Sequence, residues 1–167
     1  MSASKRLHLR IPTPADRELI RRMLELYLHD FSEFDGADLD EHGRFDYSDL
    51  DYFWFEPTHA AFVISVDDHL AGFVLVDDEV FLPGSQRSIT EFFVLRKYRR
   101  RGVGLAAAHE VFRRLPGRWE VQVIAPNVPA QHFWRKVVEG FTQGRFVETA
   151  LNDERWQGPI FTFDNTA

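Results

Sequence analysis

Residues 89–115, ITEFFVLRKYRRRGVGLAAAHEVFRRL, decide how this chain is read. The stretch opens on an apolar and aromatic run, Ile89, Phe92, Phe93, Val94 and Leu95, which reads as a buried strand. A basic loop follows, Arg96-Lys97-Tyr98-Arg99-Arg100-Arg101, and then Gly102-Val103-Gly104. Beyond the glycines, apolar residues recur at Leu105, Ala108, Phe112 and Leu115, with Val103, Ala107 and Val111 on the adjoining stripe. That spacing predicts a helix with a broad apolar face. Strand, basic glycine loop and helix together suit a phosphate. Glycines let the main chain turn so that several N–H groups share one concavity, and the helix adds its free N–H groups and positive dipole end. Arginines beside the concavity supply charge for an anion.

Several phosphate ligands fit a glycine loop. No Gly-Lys-Ser/Thr is present, which argues against a nucleotide triphosphate loop. Gly102-Val103-Gly104-Leu105-Ala106-Ala107 satisfies a dinucleotide pattern, with Glu120 at a distance suited to a ribose carboxylate. A dinucleotide turn, however, comes directly off its strand near the start of a domain. Here a charged loop separates Leu95 from Gly102, and much of the chain precedes it. The plainest alternative is a solvated basic loop capping an ordinary helix.

Arg99-x-x-Gly102-x-Gly104 after a strand ending in Phe93-Val94 resembles the acetyl-CoA signature of the GNAT superfamily of N-acetyltransferases. Downstream, Asn127-x-x-Ala130-x-x-Phe133-Trp134-x-Lys136 followed by Gly140-Phe141 resembles the superfamily's second signature. The two blocks come in the right order, with room between them for one helix and one strand. The resemblance implies an α/β (α+β) fold in one domain over residues 1–167. A mixed, mostly antiparallel central sheet of about six or seven strands would be flanked by about four helices. It also implies a V-shaped splay between the strands at 89–95 and 119–124. In that slot Phe92, Phe93 and Val94 would hold the pantetheine arm through backbone groups. Arg99, Arg100, Arg101, Gly102, Val103, Gly104 and Leu105 would cradle the pyrophosphate, with Asn127 and Trp134 facing the arm from the other side.

The rest of the chain is consistent with a soluble globular protein. Its 167 residues suffice for a sizeable core, and 44% hydrophobic with 28% charged residues is ordinary. Sixteen Phe and four Trp point to a densely aromatic core or a ligand cleft. With no Cys, a disulfide scaffold, a thiolate zinc site and a cysteine nucleophile are excluded, and a cytoplasmic location is expected. The formal charge of -6 argues against a nucleic-acid partner, no stretch approaches membrane-spanning length, and no metal is expected. A homodimer is left open.

In chain order, 7–11 reads as a strand ending at Pro12, and 14–29 as a helix capped by Thr13 with Pro14 at its first position. Residues 35–56 mix Asp and Glu with aromatic rings, which suits a short irregular helix and loop around a cleft for a cationic acceptor. The apolar arms 59–66 and 69–76 about Asp67-Asp68 predict a hairpin of central strands. The strand at 119–124 is expected parallel to that at 89–95, because a helix crosses between them. A further helix opens at Asn127 and Pro129, and Phe141, 144–149 and 159–163 read as terminal strands.

Acetyl transfer to an amine sets definite demands. A lysine-like ammonium of pKa about 10.4 must lose a proton before it attacks, so a base is required. Glu91 is the first candidate, since strand alternation places it beside Ile89 and Phe93, among apolar groups that favour its protonated form. Asp30, His29 and Asp49 are reserves. The oxyanion needs a donor, and an N–H freed by a bulge at Val94 would serve. The acceptor would be a primary amine on a small molecule or a peptide. Two positions depart from the family pattern: Trp134 stands where many members have tyrosine, and Gln122 where some carry a base. In addition, 136–141 is longer than the common form. These departures keep in view a non-catalytic acyl-CoA-binding module of the same fold.

Overall fold

The structure is a computed structural model and describes residues 6–48 and 50–166. Strand β1 (Leu7–Arg10) ends before Pro12, which cannot donate to a ladder. A 3-10 turn, Pro14–Asp16, follows, with Thr13 as its cap and Asp16 returning a bond to the Thr13 amide at 2.8 Å. The Arg10 guanidinium grips the Asp16 carboxylate through two bonds of 2.8 Å. That grip and the Thr13 amide hold Asp16 far below the usual carboxylate range.

Helix α1 (Arg17–Asp35) buries Ile20, Met23 and Leu24 and runs on past the expected end at 29. Phe31 and Phe34 continue its aromatic stripe, with Tyr27–Phe31 and Phe31–Phe34 centroids 5.6 and 6.4 Å apart. It stops at Gly36, whose N–H bonds Ser32 O. The expected short helix in the acidic-aromatic region is α2 (Tyr52–Phe55).

Strands β2 (Ala60–Val66) and β3 (His69–Asp77) form the expected hairpin. Asp67 and Asp68 both adopt positive φ, 49° and 64°, as a turn matched to strand twist demands. Strand β4 (Arg87–Val94) follows, then α3 (Val103–Arg114), β5 (Arg118–Gln122), α4 (Val128–Thr142), β6 (Val147–Asn152) and β7 (Gln157–Asp164). The seven-stranded sheet has the order β1-β2-β3-β4-β5-β7-β6. β4 and β5 pair in parallel at Arg87↔Trp119 and Ser88↔Glu120, while β1–β2, β5–β7 and β6–β7 are antiparallel. Among the described residues four α-helices accompany the sheet, as the family resemblance implies. Phe141 is not in a strand. Helix α4 continues through Gly140 to Thr142, and Phe141 packs its ring 5.2 Å from Phe112 and 5.3 Å from His109.

The chain divides into two compact units, Met1–Leu75 with Glu91–Gly104, and Val76–Thr90 with Leu105–Ala167. In the first, Ile20, Met23 and Leu24 of α1 meet Val63, Phe73, Leu75 and Phe93, with Leu50 and Phe53 closing the cluster. Gly72 decides how closely β3 and β4 approach here. A β-carbon at that position would lie 1.9 Å from the Phe93 carbonyl oxygen, so only glycine fits. The second unit is built on rings: Trp119 is fully buried, and Phe112 stands edge-on to it and to Phe163, with centroids 4.9 Å away in each case.

Candidate active site

Glu91 and Phe93 share one face of β4, because side chains alternate along a strand. Helix α1 crosses that face. Its Tyr27 ring stands edge-on to Phe73 at 6.1 Å and to Phe93 at 6.2 Å. Burial first, and then the nearby charge of Glu91, push the Tyr27 phenol well above its ordinary pKa.

Past Val94 the chain leaves β4, with the Leu95 amide bonded to Ala71 O at 2.7 Å, and makes a 3-10 turn, Arg96–Tyr98, that buries Tyr98. The loop then carries a left-handed residue on each side of Arg101: Arg100 at φ 59° and Gly102 at φ 78°. Such a curl gathers successive N–H groups on one side, and it leads directly into the first turn of α3. A β-carbon on Gly102 would meet no atom within 4 Å, so the space above the turn is open.

The basic run separates into two sets. Asp30 on α1 accepts from Arg96 and from Arg99 at 2.6 Å each, and Arg99 Nε also donates to the Val94 carbonyl at 2.7 Å. The Arg99 guanidinium further lies 5.7 Å from the Phe93 ring centre. Burial by itself would raise the Asp30 carboxyl, but the bonds from Arg99 and Arg96 outweigh it and hold the group below its ordinary range. An acid so held is a poor acceptor for a proton at neutral pH, which removes Asp30 from the reserve bases and makes it a brace. Arg100 and Arg101, both exposed, have no carboxylate partner among the described residues, and Lys97 lies over the Tyr98 ring at 5.2 Å. The first unit therefore holds an open amide curl with two uncommitted cations, and a carboxylate on the strand that feeds it. Such a set fits a diphosphate in charge and in backbone geometry.

The other anticipated residues are placed as follows. Phe92 is half-buried, Phe93, Val94 and Val103 are buried, and Gly104 and Leu105 are half-buried in the first turn of α3. Asn127 caps α4, its side-chain oxygen accepting the Ala130 amide at 3.1 Å. Trp134 is nearly buried on α4, edge-on to Phe133 at 5.0 Å. Gln122 donates to Glu79 O at 3.0 Å and to Glu120 at 2.9 Å. His29 is exposed, and Asp49 lies outside the described residues. Glu120 is fully buried and accepts the amides of Phe81 and Leu82 at 2.9 and 2.6 Å. A carboxylate so enclosed is not available to a ribose, and the dinucleotide pattern loses its acidic partner. An open depression of about 340 Å³ lies over Arg17, Arg21, Tyr47, Ser48, Leu50, Asp51 and Tyr52 and shares no residue with the glycine loop.

Tyr27, on the α1 stripe with Met23 and Phe31, packs its ring against Phe73 and Phe93, a contact that helical spacing alone does not show.

A family model described as the acetyltransferase (GNAT) family matches residues 20–139. A comparison with curated proteins found no match. Among solved structures, an acetyltransferase from Thermus thermophilus is 20% identical, with 95% of this chain and 97% of that one aligned at a TM-score of 0.70. A spermidine N-acetyltransferase from Vibrio cholerae, in complex with CoA and spermine, is 14% identical over 93% of each chain, at a TM-score of 0.60. An aminoglycoside acetyltransferase in complex with coenzyme A is 12% identical over 95% of each chain, at 0.62. At these identities the likeness is one of fold.

Proposed function

The chain belongs to the acetyltransferase (GNAT) family, and from that premise we propose that it transfers an acetyl group from acetyl-CoA to a primary amine of a small molecule or protein. The observation that carries the reading is the arginine sorting. Arg96 and Arg99 are tied to Asp30, while Arg100 and Arg101 flank an open left-handed turn at a helix start, where a diphosphate would be gripped. Acetyl-CoA, when bound, supplies the acyl group already activated as a thioester. The backbone of Phe92, Phe93 and Val94 would align the arm. Arg100, Arg101 and the amides of Gly102, Val103 and Gly104 would hold the diphosphate.

Glu91 acts in this reading as the base. It takes the proton from the incoming ammonium, directly or through water, so that a neutral amine attacks. A thiol of pKa about 8.5 leaves tolerably as the anion, so the tryptophan at position 134 does not block turnover. Named relatives of the same fold that act on spermidine or on aminoglycosides support an amine as the acceptor class. A second reading, an acyl-CoA-binding module without turnover, is favoured by Trp134 and by the tethering of Gln122 to Glu79 and Glu120.

Acetyl-CoA should raise the melting temperature and NAD should not; an equal response to both would sink the reading. Thiol release from acetyl-CoA across a panel of primary amines separates the enzyme from the binding module. Glu91→Gln should slow that release strongly at neutral pH with CoA affinity intact, and a fully active variant would remove Glu91 from its role.

A further inference from the structure

We infer that Asp30 and Arg99 are a positioning pair for acyl transfer: Arg99 fixes the main chain at Val94, whose amide is the candidate donor to the oxyanion, and Asp30 on α1 fixes Arg99. The inference deepens the proposed function and rests on it. It begins at the end of β4. The Leu95 N–H donates to Ala71 O on β3 at 2.7 Å. Neighbours along an extended chain turn their N–H and C=O groups to opposite edges, so both groups of Val94 face away from β3. From that edge Arg99 reaches the Val94 carbonyl, Nε to O, at 2.7 Å. The planar peptide group between Val94 and Leu95 is thereby held at both ends, its N–H by β3 and its carbonyl by Arg99. The preceding peptide, which carries the Val94 N–H, is held as well. Its Phe93 oxygen lies so close to Gly72 on β3 that a β-carbon there would be 1.9 Å away.

Arg99 can reach back because the 3-10 turn, Arg96–Tyr98, reverses the chain, with the Arg99 N–H bonded to Arg96 O at 3.1 Å. Its guanidinium is a rigid planar fork, and two donors of that fork are committed in different directions. Nε takes the Val94 carbonyl, and Nη2 takes Oδ2 of Asp30 at 2.6 Å. The group also lies over the Phe93 ring, 5.7 Å from its centre. A fork with one acceptor could swing about that bond. The second acceptor stands on α1, a helix anchored by buried Ile20, Met23 and Leu24, and it stops the swing. Arg96 takes the other Asp30 oxygen, Oδ1, at 2.6 Å, and its side chain makes no bond to β4 among the described residues. Helix α1 is thus tied, through Arg99 alone, to the main chain that would meet the acyl group. Such placement bears on rate, since a misplacement of about 1 Å in a reacting arrangement can cost on the order of a hundredfold. The same bonds set Arg99 apart from Arg100 and Arg101, which keep the task of holding the diphosphate.

The test uses the full chain labelled with 13C at valine carbonyls and 15N at leucine. The sequence holds two Val-Leu pairs, Val74-Leu75 and Val94-Leu95, so a spectrum that selects bonded 13C–15N neighbours contains two signals. The Val94 signal is assigned by its loss in Val94→Ile, and Val74, inside β3, reports that the fold is intact. A carbonyl carbon moves upfield when its oxygen loses a hydrogen bond. Arg99→Gln should therefore move Val94 upfield, Asp30→Ala should move it the same way by less, and Arg96→Gln should leave it in place. In thiol release from acetyl-CoA, Arg99→Gln and Asp30→Ala should lower kcat roughly tenfold or more, with KM for acetyl-CoA near the wild-type value. Arg99→Lys, which keeps a donor for the Val94 carbonyl, should recover part of the loss. A Val94 signal unmoved in Arg99→Gln or in Asp30→Ala overturns the inference, and so does an Arg96→Gln shift as large as that of Asp30→Ala. A raised KM with kcat kept overturns it too, because Arg99 would then be a coenzyme ligand. The carbonyl signal needs no acceptor. If the wild type releases no thiol with any amine, the acetyl-transfer reading falls, while a shifted Val94 signal still supports the hold of Asp30 and Arg99 on the strand end. A shifted signal with kcat unchanged in an active enzyme overturns the positioning role alone.

Discussion

Replacing Asp30 by Asn isolates the brace that sorts the basic loop. The carboxylate is 23% exposed and carries two charge-assisted bonds of 2.6 Å, but the two arginines differ. Arg96 is 74% exposed, so solvent screens its pairing and a few tenths of a kcal/mol is all it should add. Arg99 is 40% exposed and already fixed by its bond to the Val94 carbonyl, so less side-chain entropy is lost in holding Asp30. That bond should contribute about 1 kcal/mol, for a total of roughly 1–1.5 kcal/mol lost in Asp30→Asn at neutral pH. Urea unfolding of Asp30→Asn, Arg96→Gln, Arg99→Gln and the two double variants gives each coupling separately. The Asp30 carboxyl is lowered in the folded state, so its contribution is complete above the unfolded value of about 3.9 and is lost as pH falls through the folded one. The wild type and Asp30→Asn should therefore converge in strongly acidic solution and separate above pH 4. Equal couplings for the two arginines, or a difference that persists unchanged into acid, would refute this account of the brace.

Three other outcomes are expected. Gly72→Ala places a β-carbon 1.9 Å from a backbone oxygen of β4, which cannot swing aside, and should cost on the order of 3 kcal/mol or more, read as a large fall in melting temperature. Glu120→Gln turns an amide NH2 toward the Phe81 and Leu82 N–H groups and leaves one of them without an acceptor. A loss of about 2 kcal/mol in urea unfolding is expected, with little change in CoA affinity. Arg100→Ala and Arg101→Ala should each weaken CoA binding by roughly tenfold and flatten its dependence on salt, whereas Arg96→Ala should do less. Calorimetric titration with CoA at two ionic strengths checks this.

Much of the fold is legible wherever one local pattern dominates. The Asp67-Asp68 hairpin, the stripe of α3 and the parallel partner strand at Trp119 all follow from periodicity and turn chemistry. The end of α1 is less legible, because the acidic and aromatic residues after His29 look the same in a frayed turn as in a helix whose stripe continues to Phe34. The helix at Phe141 is hidden by Gly140, which reads as a stop. The partition of the basic loop is not in the sequence at all. Six consecutive positions hold five cations that are nearly equivalent as text, and what separates them is Asp30, 66 positions before Arg96. The burial of Glu120 is hidden for a related reason: two of its three donors are main-chain N–H groups, which leave no signature in the side chains.

Arginine at position 100 occupies a left-handed conformation that costs an L-residue with a β-carbon about 1 kcal/mol or more, and that glycine would adopt freely. A screen for thermal robustness alone would therefore tend to select Arg100→Gly, gaining resistance to heat while discarding a cation at the mouth of the turn. The chain tolerates a small conformational debt at that position, and sites where robustness and usefulness pull apart in this way are where a charge has work to perform.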